Sequence, residues 1–183
     1  MNFNLKSALE FAANDTQKKM LEHLINSFET GSIEAHKNYS REWVKDMSPN
    51  VESHHGWVET YVDPQKVRGK FEGWVAIVNK EQSEKFQRLV TNSEKIIPML
   101  PWGEGMEKEK FLAPDFTSIE VVAFASNSAY LGQNIPNYDE IRENEGFKNV
   151  YFGNCMPKTV GSNVQFATPE QVKTLVAMTI RSY

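Results

Sequence analysis

Residues 51–64 read VESHHGWVETYVDP and residues 70–79 read KFEGWVAIVN. In the first stretch Trp57, Glu59 and Tyr61 alternate with Val58, Thr60 and Val62, and a proline-containing turn follows; the second is rich in aromatic and β-branched residues. Two strands paired as a hairpin are the natural reading. Period-two alternation then predicts one face carrying Trp57, Glu59 and Tyr61, with Glu59 its only charge. The tandem His54 and His55 would point to opposite faces, which argues against a shared metal and predicts surface or partly buried imidazoles.

Helices flank this hairpin in the sequence. Leu21, Leu24, Ile25 and Phe28 recur at helical spacing over 16–29, with Gly31 as the stop. Ser32 can cap a second helix through about residue 46, with Ala35 and Trp43 on it, giving a helical hairpin. After the strands, Asn79 and Gln82 resemble a capping pair for a helix carrying Phe86, Leu89, Val90 and Ile97, stopped near Pro98 and Pro101. The run SIEVVAFA, 118–125, predicts a buried strand, and KNVYFGN, 148–154, another. Val172, Leu175, Val176, Thr179 and Ile180 keep helical period to the last residues without a cap, so the chain is expected to be a piece of something longer. The fold class is α+β in one connected unit.

A chain of 183 residues, 40% hydrophobic, can bury one substantial core. Twenty basic and 24 acidic residues are mixed along it for a net charge of -4, which argues against nucleic-acid or anionic-membrane partners and leaves a peptide or small molecule open. No apolar run approaches the roughly 20 residues of a membrane span. The single cysteine, Cys155, has no partner for an internal disulfide and no base near it in sequence, so a buried, inert thiol in a reducing, cytoplasmic compartment is expected. The sequons at Asn14 and Asn38 are then accidental.

The chain shows no HExxH zinc helix, no phosphate-cradling glycine loop and no nucleophile elbow. Two features carry chemistry instead. Glu59, walled by aromatic rings, would be partly desolvated and attract a cation; the alternative is a strand glutamate facing water or a lysine. In NIPNY, 134–138, Asn137 could cap a short helix from Tyr138 with Glu140 at the capping-box position, while Asn134 makes a turn. Alternatively Pro136, which fixes its own φ and extends Ile135, holds both amides at set directions for a ligand.

Together GSIEAHK (31–37), VETYVDP (58–64), RGKFEGWVAIVNK (68–80), KFLAPDFTS (110–118) and NIPNYDEIRENEGFKNV (134–150) resemble the dipeptidyl peptidase III family of cytosolic zinc aminopeptidases, collinearly over most of the chain from Gly31 onward. The resemblance implies a two-lobed peptidase, with 1–79 and 118–163 belonging to a lower lobe built on a small five-stranded β-barrel, and 80–117 and 164–183 to an upper helical lobe. It implies that the enzyme releases N-terminal dipeptides from oligopeptides with a free N-terminus. It also implies that Glu59 and Tyr61 line the substrate cleft and that Asn134 and Asn137 hold the peptide's N-terminal end. The backbone around Leu131 and Gly132 would add the peptide as an extra strand. An ammonium anchored two residues from the cut bond would sit about 7 Å from it along an extended peptide, a ruler for dipeptides.

Tyr130 and Leu131 depart from the smaller residues usual in the family, and His54-His55 is a second departure. The family's zinc motifs, HELLGH and EECRA, are expected beyond the point where this sequence stops. Zinc is therefore implied for a full-length enzyme and none for these residues, which are expected to bind the substrate N-terminus without catalytic or metal-ligating groups. A stand-alone non-catalytic peptide-binding or structural module is the alternative.

Overall fold

The computed structural model describes residues 1–102, 104–107, 111–126 and 130–155. The terminal helix expected around Val172–Ile180, with the rest of 156–183, lies outside them. Six α-helices and one five-stranded sheet make up the described α+β fold. A short helix absent from the expectations, α1 (Asn2–Ala8), comes first and buries Leu5. Asn14 accepts from Gln17 N–H at 2.8 Å and starts α2 (Asp15–Thr30), which Gly31 closes in the left-handed conformation. Ser32 Oγ accepts from Ala35 N–H to start α3 (Ile33–Lys45). Both sequon asparagine side chains are engaged within the protein: Asn14 also donates to Asp46, and Asn38 accepts from Arg41.

The quoted hairpin is β1 (Val51–Glu59) against β2 (Lys70–Val78), antiparallel. Asn79 caps α4 (Lys80–Thr91) by accepting from Gln82 N–H, as expected. That helix breaks at Asn92, before the prolines, and a one-turn α5 (Ser93–Ile96) continues. β3 (Asp115–Ala125) begins three residues ahead of the expected strand and pairs with β2. α4 lies on β3, with Phe86 stacked on Phe116 at 4.2 Å. β4 (Gly132–Ile135), α6 (Asp139–Asn144) and β5 (Lys148–Phe152) follow.

β5 joins β3 in parallel and β4 closes over β5 antiparallel, giving the order β1-β2-β3-β5-β4 in a curled half-barrel with β1 and β4 as its edges. The core gathers Leu24, Tyr39, Trp43, Trp74, Ile119, Ile135, Ile141 and Phe152, all essentially inaccessible. His54 corrects the expectation of a surface or partly buried imidazole: it is buried among Trp43, Trp74 and Tyr39. His55 does face the other way, toward an apolar groove under α1. Cys155 is half-buried against the edge of the core rather than enclosed by it. No helix among the described residues is long and apolar enough to cross a membrane.

Candidate functional site

A cavity of about 380 Å³ opens where the two edges of the sheet approach each other. It is lined by Glu59, Tyr61, Tyr130, Gly132, Gln133, Asn134, Asn137 and Arg142. Five of the six residues singled out from sequence thus meet in one place, from segments more than 70 positions apart. Leu131 is the exception: its side chain is exposed outside the lining, and its carbonyl accepts from Phe152 N–H at 2.8 Å.

The route by which Glu59 reaches the cavity corrects the strand-face reading. Trp57 pairs with Phe71 and Glu59 pairs with Lys70, so Val58 is an extra residue in β1. Cross-strand partners share a face, and residues 70 and 71 lie on opposite faces, so the bulge turns Glu59 away from Trp57. Trp57 packs instead on Phe28 and Phe71, at centroid distances of 5.6 and 5.3 Å. Glu59 joins the side of β2 that carries Glu72 and Trp74. The strand ends there, and Tyr61 follows in the turn rather than on a strand.

Asn134 and Asn137 also differ from the turn-and-cap reading. Asn134 lies in β4, where its Nδ2 donates to Asn149 Oδ1 at 2.6 Å. α6 has Tyr138 at its N-cap position without a side-chain cap, and Glu140 pairs with Lys37 instead of closing a capping box. The Nδ2 of Asn137 donates to Val58 O at 3.3 Å and to Glu59 Oε1 at 3.2 Å. Both partners can only accept, which sets the amide's orientation. With both NH₂ groups engaged, the two Oδ1 atoms are the amide groups left to accept from a ligand.

Gly132 is a glycine for a structural reason: a Cβ there would stand 2.5 Å from Val150 O, so only glycine lets β4 lie this close to β5. The next residue, Gln133, bridges two core groups. Its Oε1 accepts from Trp74 Nε1 and its Nε2 donates to the buried Glu72, each at 2.7 Å. The negative charge gathered here shows in the phenols. The Glu59 carboxylate, more than burial, raises the Tyr61 pKa, and burial raises that of Tyr130 with Glu72 and Glu59 adding to it. Arg142 supplies the positive charge on the lining; its Nη1 donates to Pro136 O at 3.0 Å and its guanidinium lies over Phe147. The Ile135-Pro136 peptide is cis.

Sequence reasoning did not single out Gln133 or Arg142 as part of this site, and named Tyr130 only as a departure from the family's smaller residues beside Leu131. Gln133 sits in a polar stretch where no strand was expected, and its partners lie about 60 positions away. Chemically, the cavity offers one carboxylate, two amide oxygens and the outward edge of β4, a set suited to an ammonium and to an extended backbone. Among the described residues no group of three or more His, Cys, Asp or Glu side chains could hold a metal ion.

Comparison with known proteins bears on the whole chain. It is 48% identical over 171 residues to dipeptidyl peptidase 3 of Nematostella vectensis, covering 93% of this chain and 24% of that protein. It is 53% identical over 152 residues to dipeptidyl peptidase 3 of Homo sapiens, covering 83% and 21% respectively. The chain therefore spans about a quarter of the length of the curated relatives it matches. The structure of DPP III from Caldithrix abyssi superposes with a TM-score of 0.72 at 23% identity, over 84% of this chain and 30% of that one. That of dipeptidyl-peptidase III from Corallococcus sp. strain EGB gives 0.71 at 18%, over 84% and 29%, and both share the fold. The model of peptidase family M49 matches residues 1–183 from end to end, and on that match, with the relatives beside it, the chain belongs to peptidase family M49.

Proposed function

We propose that the cavity takes the free N-terminus of an oligopeptide, as the substrate-binding portion of a dipeptidyl peptidase III-like zinc aminopeptidase that releases N-terminal dipeptides. Glu59 supplies the counter-charge for the ammonium, and the Oδ1 atoms of Asn134 and Asn137 accept its N–H groups. Tyr61 walls the opening. The outward backbone of β4, from Gly132 with Leu131 at the rim, pairs with the extended peptide. The observation that carries this reading is the convergence of Glu59, Asn134 and Asn137 on one cavity, with Asn137 donating to Glu59 Oε1 at 3.2 Å. In that arrangement the carboxylate is already oriented before a ligand arrives, which lowers the entropic cost of binding.

A titration of tetra-alanine with a free N-terminus against its N-acetylated form, followed by NMR, tests it. Wild type should prefer the free amine, and Glu59→Gln should weaken that peptide about tenfold or more while sparing the acetylated one, as expected for loss of a charge-assisted hydrogen bond. Equal affinities for the two peptides in wild type would overturn the ammonium role. Catalysis is proposed to need residues outside this chain. Added zinc should leave the 183-residue chain unable to cleave a dipeptidyl-naphthylamide; hydrolysis that a chelator abolishes would sink that expectation.

A further inference from the structure

The motif GSIEAHK is matched in the family resemblance, yet none of its residues lines the cavity. Its histidine, His36 on α3, is 9% exposed and uses both ring nitrogens. Nε2 lies 2.9 Å from His55 O on β1, and Nδ1 lies 2.9 Å from the Tyr138 hydroxyl. A carbonyl only accepts, so Nε2 carries the proton; Nδ1 of the neutral ring then accepts from the Tyr138 O–H. Burial lowers the His36 pKa, which favours this neutral form.

Tyr138 is the residue directly after Asn137, and His55 stands three residues before Val58, which accepts from the Asn137 amide. The imidazole therefore ties the Asn137 segment to the strand that ends in Glu59. Its seat is built for it: a Cβ on Gly56 would stand 2.5 Å from His36 Nε2. Ion pairs also tie α3 to the segment around α6: Lys37–Glu140 and Arg41–Glu145, at 2.5 and 2.9 Å. Both are solvent-facing and of the kind that contributes little. The part-buried, two-sided hydrogen bonding of His36 joins Tyr138 to β1 through one ring of fixed geometry.

We infer that His36 is a positioning residue for the ammonium clamp, holding Asn137 against Glu59 through the Tyr138 hydroxyl. The inference rests on the peptide N-terminus reading above. It adds a requirement that reading does not contain: loss of one phenolic oxygen outside the cavity should loosen the clamp.

The test is Tyr138→Phe, which keeps the ring and removes only the hydroxyl, together with His36→Asn and His36→Gln. Asn presents an acceptor near the place of Nδ1, whereas Gln presents a donor near the place of Nε2. Two readouts are taken on each folded variant: the side-chain amide signal of Asn137 in the free protein, and the preference for free-amine over acetylated tetra-alanine. Tyr138→Phe should shift the Asn137 amide toward its solvent-exposed position and lower free-amine affinity about fivefold, the scale of one neutral hydrogen bond. His36→Asn should retain more of the preference than His36→Gln, and the two should become equal once Tyr138 is also Phe.

An unmoved Asn137 signal with unchanged preference in Tyr138→Phe would overturn the inference while leaving the ammonium reading standing. If wild type shows no preference at all, the ammonium reading fails and takes this role with it. Should the His36 variants fail to fold, Tyr138→Phe decides the matter alone.

Discussion

Replacing Lys148 with methionine should destabilise the fold by about 3–5 kcal/mol, the usual cost of stripping one partner from a buried ion pair. Lys148 is inaccessible on β5, and its ammonium donates to Glu52 Oε2 at 2.8 Å and to Asp46 O at 2.5 Å, with Asp115 Oδ2 at 3.8 Å. Glu52 and Asp115 are equally buried; Trp43 Nε1 donates to the first, and the Ser48 N–H and Oγ donate to the second. Four segments, the end of α3, β1, β3 and β5, thus meet at one ammonium. Without it two carboxylates share an apolar interior, and burial already raises the Glu52 pKa against the opposing pull of Lys148. The loss is a large share of the 5–15 kcal/mol that holds a typical domain together. Adding Glu52→Gln should recover more than half of it, because the amide still accepts from Trp43 and carries no charge. Urea unfolding measures both steps, and a loss below about 1 kcal/mol for Lys148→Met would show that the pair is not what stabilises this junction.

Acid should unfold the protein steeply below pH 6.5, and His54 should account for one proton of that dependence. Burial lowers its pKa well below 6.5, with His36, His55 and Lys148 adding repulsion. Its Nδ1 has no hydrogen-bond partner. The sign follows from which state takes the proton. Below pH about 6.5 the unfolded chain binds a proton at this imidazole and the folded chain does not, so unfolding becomes easier as pH falls. The contribution is present in full above pH 6.5 and is lost on acidification, by about 1.4 kcal/mol per pH unit for one such group. His36 and His55, also lowered chiefly by burial, act in the same direction. Glu52 acts in the opposite direction, since its raised pKa lets the folded state take up a proton more readily. His54→Phe should keep a flat ring among Trp43, Trp74 and Tyr39 and flatten the stability-against-pH slope between pH 6 and 5 by that one proton. An unchanged slope would mean that His54 is charged or exposed in the folded state.

Local signals accounted for most of the elements. The caps at Ser32 and Asn79 and the stop at Gly31 were legible because each depends on hydrogen bonds or dihedral angles within a few residues. The hairpin was legible because alternation and β-branching are local too. What failed was the fine phase of β1: one extra residue at Val58 turned Glu59 to the opposite face, and nothing in VETYVDP signals a bulge. The same limit applies to Asn137. Its spacing from Glu140 suited a cap, but the backbone of Val58 and the carboxylate of Glu59 offered its amide a tertiary partner about 80 positions away.

By itself, then, the sequence determined α2, α3 and α4, the strand pair, the α+β class and, through its family resemblance, which polar residues deserved attention, all of which follow from short-range patterning or from matching motifs. Only the tertiary structure decided that β5 slips in parallel beside β3, that β4 becomes an edge, and that a bulge at Val58 is what brings the Glu59 carboxylate against the Asn137 amide. It also decided that Lys148 and His54 lie in the core and that His36 joins β1 to Tyr138. The physical reason is the same in each case: these placements depend on how the sheet curls and on hydrogen bonds between distant segments. No window of residues records which of two equally polar neighbours a side chain will meet.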